Sequence, residues 1–354
     1  MLGRRAIRII QFEYGAANIE SRDLLKDFFG FFRDYEYNLH KIHAEGYGTV
    51  SALQRPPREF PIRTGWRWAK SDAAPASSYA ASAQDREDAI LLTKTKRVIA
   101  ERDGSIGWIT FNNPERHNAM SIDMWEALPE ILDAYENDPA IRVVVMKGAG
   151  QKAFVSGADI SEFETARSDA ERVAHYEAIT DKAMDHAYHL SKPAIAMIRG
   201  YCIGGGLGIA LSCDLRIATE QSRFGIPAAK LGLGYRHAGV KKLVDVVGPS
   251  AAKEIFFTAR QFSAAEAHHM RLINRIVADA ELETVIRDYC AMISGNAPLT
   301  IKAAKGVIGE LCKLDDAVDA ELCERLVADC FESADYQEGR KAFMEKRKPA
   351  FTGR

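Results

Sequence analysis

The chain has 354 residues, 47% of them apolar, and a formal net charge of −2 with acidic and basic residues interspersed. That length supports one large domain, or one domain with an appendage. There is no basic stripe for nucleic acid, no cysteine spacing of a zinc site, and no apolar stretch long enough to span a membrane.

Three zones follow one another. Residues 1–54 hold a strand-like run, IRIIQFEY, an amphipathic pattern from Ser21 to Phe32, and the segment YNLHKIHAEGYGTVSAL. The opening apolar run is short and interrupted by Glu13, unlike a signal sequence. Residues 55–91 lack periodicity, are rich in Pro, Ser and Ala toward their end, and read as a linker. From Leu92 to Arg354 the pattern is that of a folded domain.

In that domain RVIAERDGSIGWITFNN predicts a hairpin turning at Asp103-Gly104. MSIDMWEALPEILDAYEND has helical periodicity, with Ser121 as its N-cap. IRVVVMKG and PAIAMIRG read as buried strands, with a long helix from about Asp169 to Leu190 between them. Strands alternating with helices imply an α/β fold with covered sheets. From Ser263 the chain is helix-rich. Its apolar stripes suit packing on a partner or on its own domain. The cysteines at 202, 213, 290, 312, 323 and 330 read as reduced, small apolar residues of a cytoplasmic protein. Cys323 and Cys330, seven apart, are expected on one buried helix face.

Two segments carry the chemistry: FVSGADISEF (154–163) and GYCIGGGLGIALSCD (200–214). Each places small residues where a strand ends and a helix begins. Small residues let a ligand approach the backbone. The first helical N–H groups are unpaired and favour negative charge. Two such groups converging on one oxygen make an oxyanion hole.

These two segments, with ITFNNPERHNAMS (109–121) before them and FMEKRKPAF (343–351) after them, resemble the crotonase (enoyl-CoA hydratase/isomerase) superfamily from about residue 95 to 354. The resemblance implies a ββα spiral whose helical C-terminal part builds trimers, often paired into hexamers. It assigns the oxyanion-hole N–H groups to Ala158 and Gly205, beside Gly204. It places coenzyme A along Arg116, His117, Ala119, Ala158, Asp159 and Ile160, with Phe343 and Lys346 near a neighbouring subunit's coenzyme A. The expected partner is an acyl-CoA thioester; coenzyme A is then part of the substrate, and no separate cofactor or metal is expected.

The chain departs from the hydratase pattern at both glutamates. Their positions are Gly208 and Ala228, and neither residue transfers a proton. The polar groups left nearby are Tyr235, Arg236 and His237 in LGLGYRHAG. A tyrosine in this loop resembles the methylmalonyl-CoA decarboxylase branch, where Tyr235 would hold a carboxylate or give a proton and Arg236 would pair with a carboxylate. Arg236 can equally form a subunit contact, and Asp159 or Glu162 can act as an unorthodox base or face solvent or coenzyme A. Asp214 reads as structural. Three readings stay open: a hydratase/isomerase-type acyl-CoA enzyme, an acyl-CoA decarboxylase, and a catalytically silent binder of CoA esters. Residues 10–47 resemble the last strand-helix-strand of FkbM-type methyltransferases, but no glycine-rich S-adenosylmethionine turn precedes them and methyl transfer is not expected.

Overall fold

The computed structural model describes residues 40–43, 46–49, 90–91, 95–159, 170–313 and 317–354. The chain divides into two units, Met1–Ser78 and Tyr79–Arg354. In the first, β1 (His40–His43) and β2 (Gly46–Thr49) pair antiparallel. The rest of the expected N-terminal strand and helix lies outside the described residues.

In the second unit β3 (Ile90–Leu91), β4 (Val98–Asp103) and β5 (Ile106–Phe111) form an antiparallel meander. Asp103 pairs with Ile106, so the hairpin loop is Gly104-Ser105, one residue later than the turn read from the sequence. The pairing of β3 also draws Ile90 and Leu91 out of the stretch read as linker and into the sheet.

From β5 the chain winds as a spiral. The elements are α1 (Ile122–Asn137), β6 (Val143–Gly148), β7 (Ala153–Val155), α2 (Ala170–His189), β8 (Ala194–Ile198), β9 (Tyr201–Ile203), α3 (Gly205–Ser212), β10 (Leu215–Thr219) and β11 (Arg223–Gly225). There follow α4 (Ala228–Leu231), α5 (His237–Thr258), β12 (Phe262–Ser263), α6 (Ala264–His269), β13 (Arg275–Val277), α7 (Leu282–Ser294), α8 (Pro298–Leu311), α9 (Ala320–Glu332) and α10 (Ala334–Glu345). Each turn of the spiral gives one strand to a large sheet, ordered β13-β10-β8-β6-β5-β4-β3, and the next to a small one, ordered β12-β11-β9-β7. The steps β5-β6-β8-β10-β13 and β7-β9-β11 are all parallel.

The near-continuous Val, Ile and Ala of β6 and β8 follow from burial on both faces. Trp108, Val145, Ile195 and Leu215 lie side by side across the large sheet and point toward Leu282, Ile286 and Cys290 of α7. The alternate residues Ile109, Met146 and Ala196 face α1, α2, α3 and the small sheet in the main core. Ser121 is the residue before α1, yet its hydroxyl donates to the Asp123 carboxylate and leaves the helix N–H groups without a side-chain cap.

Asp214 is structural, as read: its carboxylate accepts from the Ala194 N–H at 2.7 Å and from Lys305 Nζ at 2.8 Å. Cys202, Cys213 and Cys290 are buried, and burial pushes the Cys213 thiol up to about 12. Cys323 and Cys330 are only half-buried, because α9 buries no residue fully among the described residues. The C-terminal helices leave large apolar side chains uncovered, among them Ile308, Leu311, Phe331, Phe343 and Met344. No helix among the described residues is long and apolar enough to cross a membrane.

Candidate functional site

The two small-residue segments lie against each other. β7 and β9 are parallel neighbours, so the turns leaving them emerge on the same side of the small sheet. A Cβ built on Gly206 would stand 2.2 Å from the Val155 carbonyl oxygen, and one on Gly157 would stand 3.6 Å from the Ile203 oxygen. Only glycine at 206 permits that approach. Gly204, at φ +55, bends the chain from β9 into α3.

Backbone bonding then decides which N–H groups remain. Met120 N–H donates to the Gly157 oxygen at 2.8 Å, and Asp159 N–H to the Met120 oxygen at 2.9 Å. This parallel bridge pairs Met120 with Ala158 and turns the N–H of Ala158 itself to the opposite side. Gly205 is the first residue of α3, so its N–H has no acceptor one turn earlier in the helix. Both groups thus sit on adjoining segments, at the positive end of an eight-residue helix. Two such donors can serve one negatively polarised oxygen.

Trp125 lies beneath, its Cζ2 3.2 Å from a Cβ built on Gly205. The indole Nε1 is buried and has no hydrogen-bond partner among the described residues. An unpaired buried donor is costly and is the kind of strain that functional sites carry. Nothing in the residue pattern singled out Trp125, which reads as an ordinary apolar position of α1.

The Arg116–Ala119 segment is fastened to the same place. Pro114–Arg116 form a short 3-10 helix; His117 and Asn118 follow in left-handed conformations, φ 52 and 56. Asn118 is fully buried: its amide donates to the Ala149 and Ala153 oxygens at 3.0 and 2.7 Å, and its oxygen accepts from the Asn113 N–H at 3.0 Å. Arg116 donates to both oxygens of Asp159 at 2.8 and 2.9 Å. Asp159 is therefore buried and ion-paired, neither solvated nor placed as a free base. His117 is exposed, with its ring 6.1 Å from that of Tyr201, and Ala119 is buried. Ile160 and Glu162 lie outside the described residues.

Tyr235 reaches this centre. Its hydroxyl lies 4.0 Å from a Cβ built on Gly204, and its ring packs edge-on against Phe256, 5.1 Å between centroids. Arg236 does not accompany it as an open cation: it binds Glu177 and, at 3.2 Å, Asp181, both on α2. It staples the start of α5 to α2. His237 is the first residue of α5 and is exposed.

Gly208 stands one turn into α3, and a Cβ there would come within 2.8 Å of the Met184 methyl. Ala228 is buried at the start of α4. Phe343, on α10, is 80% exposed, and Lys346 caps that helix in a left-handed conformation.

A model of the enoyl-CoA hydratase/isomerase family matches residues 101–354. The chain belongs to that family. The short-chain-enoyl-CoA hydratase of Clostridium acetobutylicum is 35% identical over 253 residues, 71% of this chain and 95% of that protein. The crotonyl-CoA hydratase of Syntrophomonas wolfei is 30% identical over 256 residues, 72% of this chain and 98% of that one. The crystal structure of an enoyl-CoA hydratase/carnithine racemase from Magnetospirillum magneticum superimposes with a TM-score of 0.70 at 36% identity, covering 73% of this chain and 97% of that one. The expected crotonase-type α/β fold with a helical C-terminal region stands on these matches.

Proposed function

We propose that this family member binds acyl-CoA thioesters and stabilises a thioester enolate, in a reaction of the hydratase/isomerase type. One observation carries the reading: the N–H groups of Ala158 and Gly205 are left over by the backbone bonding of two touching segments. In this reading both donate to the thioester oxygen. As a proton leaves or joins Cα, charge collects on that oxygen, and the fixed donors hold it without rearranging. Losing one such donor typically costs about a hundredfold to a thousandfold in rate. Tyr235 is the polar side chain beside Gly204 and takes the proton-handling role that glutamates at 208 and 228 would otherwise fill.

Coenzyme A runs along Arg116, His117 and Ala119 and along Ala158 and Asp159, with Arg116 and Asp159 holding each other in shape. The uncovered apolar side chains of the C-terminal helices support assembly as a homotrimer or a dimer of trimers, in which Phe343 and Lys346 meet a neighbour's coenzyme A.

A second reading, decarboxylation of a malonyl-type CoA ester, is favoured by the lack of any carboxylate at Gly208 and Ala228 together with the Tyr235 phenol at the same place. It loses Arg236 as a carboxylate clamp, because Glu177 and Asp181 already occupy that guanidinium. Incubation with enoyl-, 3-hydroxyacyl- and malonyl-type CoA esters, followed by mass spectrometry, tests both. Interconversion of enoyl and 3-hydroxyacyl esters supports the first reading, and loss of 44 mass units from the malonyl type, the mass of carbon dioxide, supports the second. Binding of every ester with turnover of none would leave a silent binder.

A further inference from the structure

A phenol that handles a proton works only where its oxygen is held in place, and burial does not hold Tyr235. The residue is 40% exposed, and its ring meets Phe256 edge-on. It follows Gly232, Leu233 and Gly234, with Gly232 at φ +64. Two glycines within three residues give the loop little stiffness of its own. A Cβ built on either glycine would meet nothing within 4 Å among the described residues, so packing does not fix the loop there.

The next residue supplies an anchor. Arg236 stands at the N-cap of α5 with an extended backbone, and its side chain gives that helix no cap. It reaches across to α2 instead, donating to Glu177 and, at 3.2 Å, to Asp181. Those carboxylates are four residues apart on one face of α2. The rigid fork of a guanidinium can meet both at once, which the point charge of a lysine cannot do in one fixed geometry. All three side chains are more than a third exposed, so the contact adds little to global stability. Its effect is geometric: the backbone is tied to α2 one residue after Tyr235.

α2 is in turn packed against the centre. Three residues past Asp181, the Met184 methyl lies 2.8 Å from where a Cβ on Gly208 of α3 would stand. α3 begins at Gly205, and the Tyr235 hydroxyl lies 4.0 Å from a Cβ built on Gly204. The clamp and the phenol thus meet the same helix start by two routes. On the reading that Tyr235 handles the proton, we propose that Arg236 is a positioning residue: gripped by Glu177 and Asp181, it holds the Tyr235 hydroxyl at the Gly204-Gly205 turn.

Kinetics of the full chain test this, with crotonyl-CoA or methylmalonyl-CoA, whichever the wild type turns over. A displacement of about 1 Å can cost about a hundredfold in rate. Arg236→Gln should therefore lower kcat about tenfold to a hundredfold, with KM within about twofold. Glu177→Gln combined with Asp181→Asn should reproduce that loss with Arg236 in place, and Arg236→Lys should fall between. In a Tyr235→Phe background, Arg236→Gln should change the residual kcat by less than about twofold, because no hydroxyl is left to place. Equal losses in both backgrounds, or wild-type kcat in Arg236→Gln or in the paired carboxylate variant, would overturn the clamp. Carbon-13 NMR of the tyrosine-labelled chain tests it without turnover. The Tyr235 ring resonance, recognised by its loss in Tyr235→Phe, should move or broaden in Arg236→Gln, and an unchanged resonance would also overturn the clamp. Undiminished turnover in Tyr235→Phe, with the resonance still responding to Arg236→Gln, would instead overturn the role of Tyr235 beneath it.

Discussion

The site has two sides that are built from different material. On one side, Val155–Ala158 and Ile203–Gly206 meet backbone to backbone, and the Met120–Ala158 bridge settles which N–H groups are spent. On the other, Gly208, Ala228 and Tyr235 offer whatever their side chains provide. The first side survives substitution of almost anything except its glycines, because the donors belong to the fold. The second changes its chemistry with a single residue. That difference teaches why family membership and reaction separate here: in the proposed reading the fold carries the charge-stabilising frame, while proton transfer lives in replaceable side chains.

The sharpest break in that contrast comes from Tyr235→Phe. It should lower turnover by about a hundredfold to ten-thousandfold while leaving CoA-ester affinity nearly unchanged. Single-turnover kinetics and calorimetry separate the two, and turnover within twofold of wild type would remove Tyr235 from the mechanism. Gly206→Ala attacks the other side. Its methyl would meet the Val155 oxygen at 2.2 Å, so the two segments must part. We expect about 3 kcal/mol lower stability by urea denaturation and loss of ester binding. An unshifted midpoint would show that the close contact does not matter.

Asn118→Ala sharpens the comparison at the joint between the segments. It leaves two carbonyls and one N–H without their partner and should cost about 2 kcal/mol. The smallest effect lies away from the site and serves as a control. Ser263 and Glu266 form a capping box at α6. Hydrogen bonds from Ser263 and then Arg260 hold the Glu266 carboxyl down to about 2, from an ordinary 4.5. Its folded value is depressed, so its contribution is complete above about pH 4.5 and is lost as the pH falls toward 2. Ser263→Ala should cost about 1 kcal/mol near neutrality. The gap between wild type and variant should narrow over that acidic window, as the part carried by the ionised carboxylate is lost, without any change in ester affinity at neutral pH. A gap that stays constant down to pH 2 would contradict the capping account.

Much of this was legible in the residues. The β-branched runs of β6 and β8, the helical periodicity of α1 and α2, and the small-residue turns at 154–163 and 200–214 are local signals; they gave the α/β class and the two segments, while the spiral came from the resemblance to the crotonase superfamily. What the pattern missed depends on elements distant in sequence. Arg236 looked available for a substrate carboxylate because Glu177 and Asp181 lie 59 and 55 residues earlier, on the helix that packs beside it. Asp159 looked open for the same reason until Arg116 closed on it. The space below Gly208 is governed by Met184, and the strain under Gly205 by Trp125. Neither residue type announces a role. The half-buried faces of Cys323 and Cys330 follow from a helix that buries no residue fully among the described residues.

The central claim is that Ala158 and Gly205 polarise a thioester carbonyl whatever reaction follows. Carbon-13 NMR of an acyl-CoA labelled at the thioester carbonyl, bound to the protein, tests it most directly. Two donated hydrogen bonds withdraw electron density from that carbon, so the account predicts a downfield shift of its resonance on binding, diminished in Gly206→Ala wherever that variant still binds. A resonance that stays at its free-ligand position while the ester is demonstrably bound would contradict the account.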